Sequence, residues 1–390
     1  MQKPLPNPQL KDRVIVGMSG GVDSAVAALL LRDAGYSVQA LFMSNWEDDD
    51  GYCTTAADFQ DARRVSDILG IPLHRVSFAG EYRDRVFSHF LNEYAAGRTP
   101  NPDVLCNREI KFGICLDYMQ RLGAEWIATG HYAQIRRSGS HPELLKAADA
   151  AKDQSYFLHG VAAGALAKTL FPLGGMHKAE VRAIAHAAGL PVFDKPDSTG
   201  ICFIGERPFQ DFLSRHLRTV PGPIETAEGR ILGEHRGLAL YTLGQRSGLK
   251  IGGRAGAAAA PWYVADKIVA RNALVVVQDQ YHPLLLSDEF SVEQMHWINP
   301  ADASAQPLEC GVKTRYRQSD LRCSLSPSGA AHWRVKLDVP ARAVTPGQYA
   351  VFYLGERCLG GGIIAQRFNS ELAPEARGIP YNSLFSVEGS

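Results

Sequence analysis

The residues most able to do chemistry in this 390-residue chain are one glycine-rich loop and two of its seven cysteines. Gly17-Met18-Ser19-Gly20-Gly21-Val22-Asp23-Ser24 follows the β-branched run Val14-Ile15-Val16 and precedes a strong helix former, Ala25–Leu31. A glycine cluster between strand and helix is a cradle for phosphate, because backbone N–H groups and the helix N-terminus both attract anions. No Lys-Ser/Thr pair closes the loop, so it is not a Walker A motif, and its spacing is not G-x-G-x-x-G. Ser19 and Ser24 add hydroxyl donors, and Asp23 adds a carboxylate suited to Mg²⁺. Cys106 lies in Asn101-Pro102-Asp103-Val104-Leu105-Cys106-Asn107, read as a loop just ahead of a helix, where backbone donors would favour thiolate. Cys202 lies in the small-residue stretch Asp197–Gly205. Only a folded site could join two cysteines so far apart in sequence.

These groups need a scaffold, and the spacing predicts one. After the first strand and helix, Val38–Met43 reads as a strand, Asp58–Leu69 as a helix ended by Gly70, and Leu73–Phe78 as a strand. Helices at Tyr82–Tyr94 and Glu109–Arg121 flank a proline-containing loop, Thr99–Asn107. Trp126–Thr129 supplies another strand, and Lys178–Ala188 a helix closed by Gly189. Repeated βαβ units predict an α/β domain with a doubly wound parallel sheet. Past residue 205 the pattern becomes short apolar runs between glycines, a small β-rich module. From Phe290 onward, Val312–Tyr316, Trp333–Leu337 and Tyr349–Leu354 predict a C-terminal antiparallel β-barrel. The expected domains are 1–205, 206–285 and 286–390, with an alanine-rich linker at Ala255–Pro261 and a loose polar tail after Arg367.

Composition narrows the function. Forty-one basic and 41 acidic residues leave zero net charge, which argues against sequence-blind nucleic-acid binding. No apolar run reaches the ~20 residues of a membrane span, so no membrane contact is expected. Met1–Lys11 holds three prolines and no apolar segment, unlike a signal peptide, so a cytoplasmic location is expected. No CxxC pair occurs among Cys53, Cys106, Cys115, Cys202, Cys310, Cys323 and Cys358, and no metal site is expected. By default an isolated cysteine is a small buried hydrophobe, the reading given to Cys115, Cys310, Cys323 and Cys358. Cys53, in a polar loop, stays unassigned, and Asp48-Asp49-Asp50 reads as a solvated acidic loop.

SGGVDS is the signature of PP-loop ATP pyrophosphatases. The wider set GMSGGVDS, GRTPNPDVLCNREIKF, ATGHY, KDQSYFL, DSTGICFIGER, GEHRGLALYTLGQRSGL, KTRYRQ and TPGQYAVFY resembles the tRNA-specific 2-thiouridylase family, in order along nearly the whole chain. The resemblance implies ATP-dependent 2-thiolation of the wobble uridine of tRNA. The uridine C2 oxygen would be adenylated with release of pyrophosphate, and a cysteine persulfide would then supply sulfur as AMP leaves. Gly17, Met18, Ser19, Gly20, Gly21, Val22, Asp23 and Ser24 would hold ATP, with Met43 and Gly130 completing the nucleotide pocket. Asn101, Pro102 and Asp103 would meet the target base. Cys106 would be the nucleophile, Cys202 the persulfide carrier, and Asp103 a plausible acid–base group or simply a turn-forming residue. His131, Lys152, Asp153, Gln154, Arg315, Tyr316 and Gln348 would touch the tRNA. The family further implies Mg²⁺, tRNAs for Lys, Glu and Gln, and a sulfur-carrier protein fed by a cysteine desulfurase; a monomer is the default. The alternatives are a PP-loop amidotransferase or ligase that needs no cysteine, and a noncatalytic RNA-binding module.

Overall fold

The computed structural model describes residues 12–46, 55–137, 141–197, 209–251, 260–304, 307–329, 331–370 and 372. Cys53, Asp48–Asp50, Cys202, most of the alanine-rich linker and the tail from residue 373 lie outside them. β1 (Arg13–Gly17), β2 (Ser37–Ser44), β3 (Leu73–Ser77) and β4 (Trp126–Ala128) pair in parallel. With β5 (Gln134–Arg136), β6 (Glu143–Leu145) and β7 (Thr169–Leu170) named in chain order, the parallel sheet runs β3-β2-β1-β4-β7. α1 (Val22–Asp33) and α2 (Thr55–Leu69) make the first crossovers. Strand alternation divides the core: Val14, Val16, Ala40 and Phe42 pack with the alanine-rich face of α1, whereas Ile15, Leu41 and Ile127 face the other layer, which includes Cys106. The doubly wound domain is as the spacing predicts. Connections leave β1 in one direction to β2 and β3, then return to β4 on its other side, so the switch point lies between β1 and β4.

A second sheet, β8 (Gly222–Thr226), β9 (Ile231–His235), β10 (Tyr263–Ile268) and β11 (Ala273–Val277), forms the middle domain in the order β10-β11-β8-β9. β12 (Leu286–Trp297), β13 (Leu308–Lys313), β14 (Leu321–Pro327), β15 (His332–Arg342), β16 (Tyr349–Leu354) and β17 (Arg357–Phe368) form an antiparallel barrel, closed by pairing of β12 with β17. Its sheet also takes in the β5–β6 hairpin of the first domain, through Arg357 opposite Leu145. Among the described residues no helix is long and apolar enough to cross a membrane.

Two local expectations are corrected. The helix expected to begin at Glu109 begins at Pro102, because the Asn101 side chain accepts the Asp103 N–H at 3.2 Å and Pro102 occupies the first helical position, where proline costs nothing. The chain then runs on through a π-type stretch, Cys106–Ile114, breaks at a kink where Gly113 is non-helical (φ −104°, ψ −108°), and resumes as a helix to Arg121. Likewise Arg315–Tyr316 does not extend a strand. β13 stops at Lys313, and the Gln318 side-chain carbonyl accepts from Thr314 N (2.8 Å) and Oγ1 (3.0 Å), folding KTRYRQ into a turn.

Barrel and middle domain meet at Arg367, only 2% exposed. Its guanidinium donates to the Leu284 carbonyl at 3.0 Å and the Ala265 carbonyl at 2.6 Å, beside the buried Asp266. Arg367→Met would strand those acceptors and the Asp266 charge, so it should lower unfolding free energy by roughly 3–5 kcal/mol. A urea-denaturation midpoint equal to wild type would show that this contact does not hold the two domains.

Candidate nucleotide and thiol site

The glycine loop occupies the C-terminal end of β1, at the switch point where open α/β sheets bind ligands. Its shape is set from inside. The Ser24 hydroxyl, 3% exposed, donates to the Gly21 carbonyl and accepts the Ser19 N–H, both at 3.1 Å. Ser24 thus builds the loop, while Ser19 is exposed, its hydroxyl 3.1 Å from Ser24 Oγ and accepting the Gly21 N–H at 3.4 Å. Among the described residues no side chain caps the N-terminus of α1 at Gly21, so its dipole end is open to an anion. Gly20 has φ +79°, and a Cβ there would lie 2.3 Å from the Asp58 carbonyl oxygen. Gly130, just past β4, presses on the same loop: its Cβ would lie 2.7 Å from the backbone of Asp23 and Ser24. Met43 sits near the end of β2, where Ser44 Oγ and Asn45 Oδ1 are buried without a hydrogen-bond partner among the described residues.

A charged network flanks the loop. Lys178, the first residue of the helix Lys178–Ala187, donates to both Asp23 oxygens at 2.7 and 2.8 Å, and Tyr132 donates its hydroxyl to Asp23 at 2.8 Å. Lys178 also pairs with Asp197 at 2.7 Å, and Asp197 takes Lys152 and Arg182 as well. Burial raises the Asp197 pKa, but hydrogen bonds from Lys152 and Lys178 outweigh it and hold the carboxyl at about 2. Lys195 donates to the Gly20 carbonyl (3.0 Å), Asp58 (2.7 Å) and Asp61 (2.6 Å), bracing the loop from α2. Sequence reasoning missed Tyr132, Lys178, Lys195 and Asp197. Their only signal was that Tyr132, Lys195 and Asp197 stand in or beside quoted motifs, and Lys178 had none.

Cys106 lies on the second turn of the Pro102 helix, 1% exposed and packed among apolar side chains. Its N–H is bonded to the Pro102 and Asp103 carbonyls, so the helix-end donors expected to favour thiolate are already one turn behind it. Burial pushes the Asp103 carboxyl up, with nearby Lys111 pulling it partly back. His131 is held well below its usual value by burial and by Lys111, so its imidazole is neutral. It bonds Thr129 Oγ1 at 2.8 Å and packs between Phe112 and Phe171. Asn107 donates to the Phe157 carbonyl at 3.1 Å, fastening this helix to the Lys152–Leu158 segment.

The expected RNA-contacting residues occupy varied settings. Lys152 pairs with Asp197. Asp153, 4% exposed, accepts from Ala147 N, Ser155 N, Ser155 Oγ and Lys313, and Gln154 accepts the Tyr132 N–H. Arg315 is exposed and donates to the Arg342 and Ala343 carbonyls. Tyr316 lies against Phe157, ring centroids 4.5 Å apart, with the Arg317 guanidinium 5.3 Å from the Tyr316 ring centroid. Gln348 donates to Thr99 and Pro100.

Comparison with known proteins gives a consistent result. A profile described as "tRNA methyl transferase HUP domain" matches residues 12–206, a "tRNA methyl transferase PRC-barrel domain" matches 210–278, and an "Aminomethyltransferase beta-barrel domain" matches 287–364. The chain is 56% identical over 364 residues to a tRNA-specific 2-thiouridylase MnmA of Pseudomonas putida (strain W619), covering 92% of this chain and 97% of that one. It is 55% identical over 370 residues to the protein of the same name from Methylococcus capsulatus, covering 94% and 100%. For that of Vibrio cholerae the identity is 55% over 360 residues, covering 91% and 96%.

If the loop pressed by Gly130 is the nucleotide cradle, Gly130→Ala should weaken ATP binding roughly tenfold or more, the effect of 1–3 kcal/mol of overpacking. Calorimetric titration checks this. Unchanged ATP affinity in a folded variant would remove the loop from the nucleotide site.

Proposed function

Because this chain belongs to the tRNA-specific 2-thiouridylase family, we propose that it replaces the C2 oxygen of the wobble uridine of tRNA with sulfur, using ATP. The observation that carries the proposal is the open helix end behind the SGGVDS loop, at the switch point and within reach of Lys178. Such a site suits a departing pyrophosphate. The unpartnered polar atoms of Ser44 and Asn45 beside Met43 suit the adenosine end. Uridine O2 attacks the α-phosphorus, pyrophosphate leaves, and C2 then bears AMP as a leaving group.

Mg²⁺ fits beside Asp23, since a magnesium ion carried on nucleotide phosphates needs only one or two protein carboxylates. When bound, it offsets negative charge on the triphosphate. Among the described residues no group of three or more His, Cys, Asp or Glu could hold a metal unaided.

Sulfur transfer is constrained by electrons. A persulfide carries sulfur two electrons more oxidised than the sulfur of a thiocarbonyl, so the protein must supply an electron pair. Two thiols closing to a disulfide supply it. Either the terminal sulfur on Cys202 attacks C2 and expels AMP before Cys106 attacks the Cys202 sulfur, or Cys106 attacks first and releases sulfide, which attacks C2. Both routes leave a Cys106–Cys202 disulfide for an external thiol to reduce. Cys202 follows Asp197 by five positions, a span of at most ~18 Å when extended, and Asp197 is fixed to Lys178 beside the loop. Asp103, with its raised carboxyl, suits proton exchange with uridine N3 or the Cys106 thiol. Asn101 and Pro102 would border the base, and neutral His131 with its aromatic neighbours suits stacking rather than phosphate contact.

The exposed Arg315, with Arg317 and Tyr316, suits RNA backbone and base contact; Lys152, Asp153 and Gln154 would act at the same surface through the framework they build. The proposal extends to tRNAs for Lys, Glu and Gln, to a sulfur-carrier protein fed by a cysteine desulfurase, and to the cytoplasm. An amidotransferase or ligase built on the same loop would need neither thiol.

With ATP, Mg²⁺, a persulfide donor and unmodified tRNA, the chain should form 2-thiouridine and pyrophosphate. Cys106→Ala and Cys202→Ala should each abolish thiolation. Cys115→Ala should retain it, because burial pushes that thiol up to about 12 and leaves it unreactive. Nucleoside analysis by mass spectrometry reads all three, and turnover surviving Cys202→Ala would sink the sulfur-transfer scheme.

A further inference from the structure

The stretch just ahead of Asn101, Asp103 and Cys106 takes its backbone partners from another domain. Ala96, Gly97 and Arg98 still return their N–H groups to the preceding helix. From Thr99 onward the partners change. Thr99 N donates to the Pro346 carbonyl at 3.0 Å, and Gln348 Nε2 donates to the carbonyls of Thr99 (2.8 Å) and Pro100 (3.2 Å). Pro100 has no N–H to offer. These backbone groups of Thr99 and Pro100 are therefore satisfied by the barrel, 249 positions away in sequence. Gly347 permits the approach: it has φ +91°, and a Cβ would sit 2.8 Å from Thr99 N and 2.9 Å from Arg98 Cβ. The middle domain adds a grip one residue earlier than Arg98, where Lys267 Nζ donates to the Gly97 carbonyl at 3.2 Å.

The brace is itself rigid. Gly347 N donates to the Ile364 carbonyl at 2.9 Å and Ile364 N to the Gln348 carbonyl at 2.8 Å, so the turn is laced to β17. On the other side, Asn101 follows Pro100 directly and caps the helix that carries Asp103 and Cys106. A shift at Pro100 therefore moves the cap, and the cap moves the helix.

We propose that Gly347 and Gln348 are positioning residues, through which the barrel sets where Asp103 and Cys106 meet the target base. The proposal rests on the thiolation reading given above. Gln348, expected from the family resemblance to touch the tRNA, makes two donor contacts with the loop, at 2.8 and 3.2 Å, so its removal should act on turnover more than on RNA affinity.

The test uses the full chain with two variants, Gln348→Met, which keeps length but has no N–H, and Gly347→Ala. Single-turnover thiolation, tRNA binding by filter retention and hydrogen exchange of residues 99–106 are measured in each. The expected result is a fall of roughly 10- to 100-fold in the thiolation rate, the scale of a misplacement near 1 Å. Apparent tRNA affinity should stay within about twofold, well under the tenfold that 1.4 kcal/mol represents, and exchange should rise locally at residues 99–106. A wild-type rate in folded Gln348→Met, a rate loss matched by lost tRNA affinity, or a rate loss without faster exchange would each overturn the proposal. If the wild-type chain itself forms no 2-thiouridine, the thiolation reading fails, while the exchange data still decide whether the barrel holds the loop.

Discussion

A side chain at residue 130 would collide with the backbone of Asp23 and Ser24, and the close approach that its absence permits is the contact on which the site depends. It brings the turn after β4 against the loop after β1, closing the switch point of the sheet over a helix end left uncapped. Thr129, His131 and Tyr132 arrive at the loop with it. Tyr132 then reaches Asp23, and Gln154 reaches the Tyr132 backbone, so the adjoining Lys152–Leu158 segment is placed in turn. One missing Cβ organises the loop proposed to cradle the nucleotide and the surface next to it.

Charge is arranged in the same local manner. Zero net charge excludes a broad electrostatic footprint, and the structure concentrates its cations where anions are expected. Lys178 lies between Asp23 and Asp197, and Lys195 lies under Gly20. These lysines are paired with carboxylates rather than left bare, which keeps the proposed phosphate site assembled without the cost of clustering unpaired positive charge. The barrel contributes differently, through neutral hydrogen bonds from Gln348 and a glycine that lets two backbones touch.

The first domain was legible in sequence because β-branched runs, alanine-rich helices and terminal glycines punctuate it without conflict. The start of the Cys106 helix was not. Pro100 and Pro102 read as breakers, yet Pro102 sits where a helix tolerates proline and Asn101 supplies the cap. The KTRYRQ turn was hidden by an alternating pattern that a glutamine side chain overrides. The β5–β6 hairpin has only three residues per strand and gains its stability from the barrel edge, so no local pattern announces it. In the site, the loop and the quoted motifs were readable as motifs. The pairing of Asp23 with Lys178, 155 positions apart, and of Gln348 with Thr99 were products of topology alone.

The central claim is that the uridine C2 oxygen is activated by adenylation and leaves as part of AMP. It is tested most directly with tRNA carrying ¹⁸O at C2 of the target uridine, incubated with the chain, ATP, Mg²⁺ and a persulfide donor. The account predicts that AMP released in step with thiolation carries the label, one ¹⁸O per 2-thiouridine formed. Label found in water or pyrophosphate, with unlabelled AMP, would contradict it.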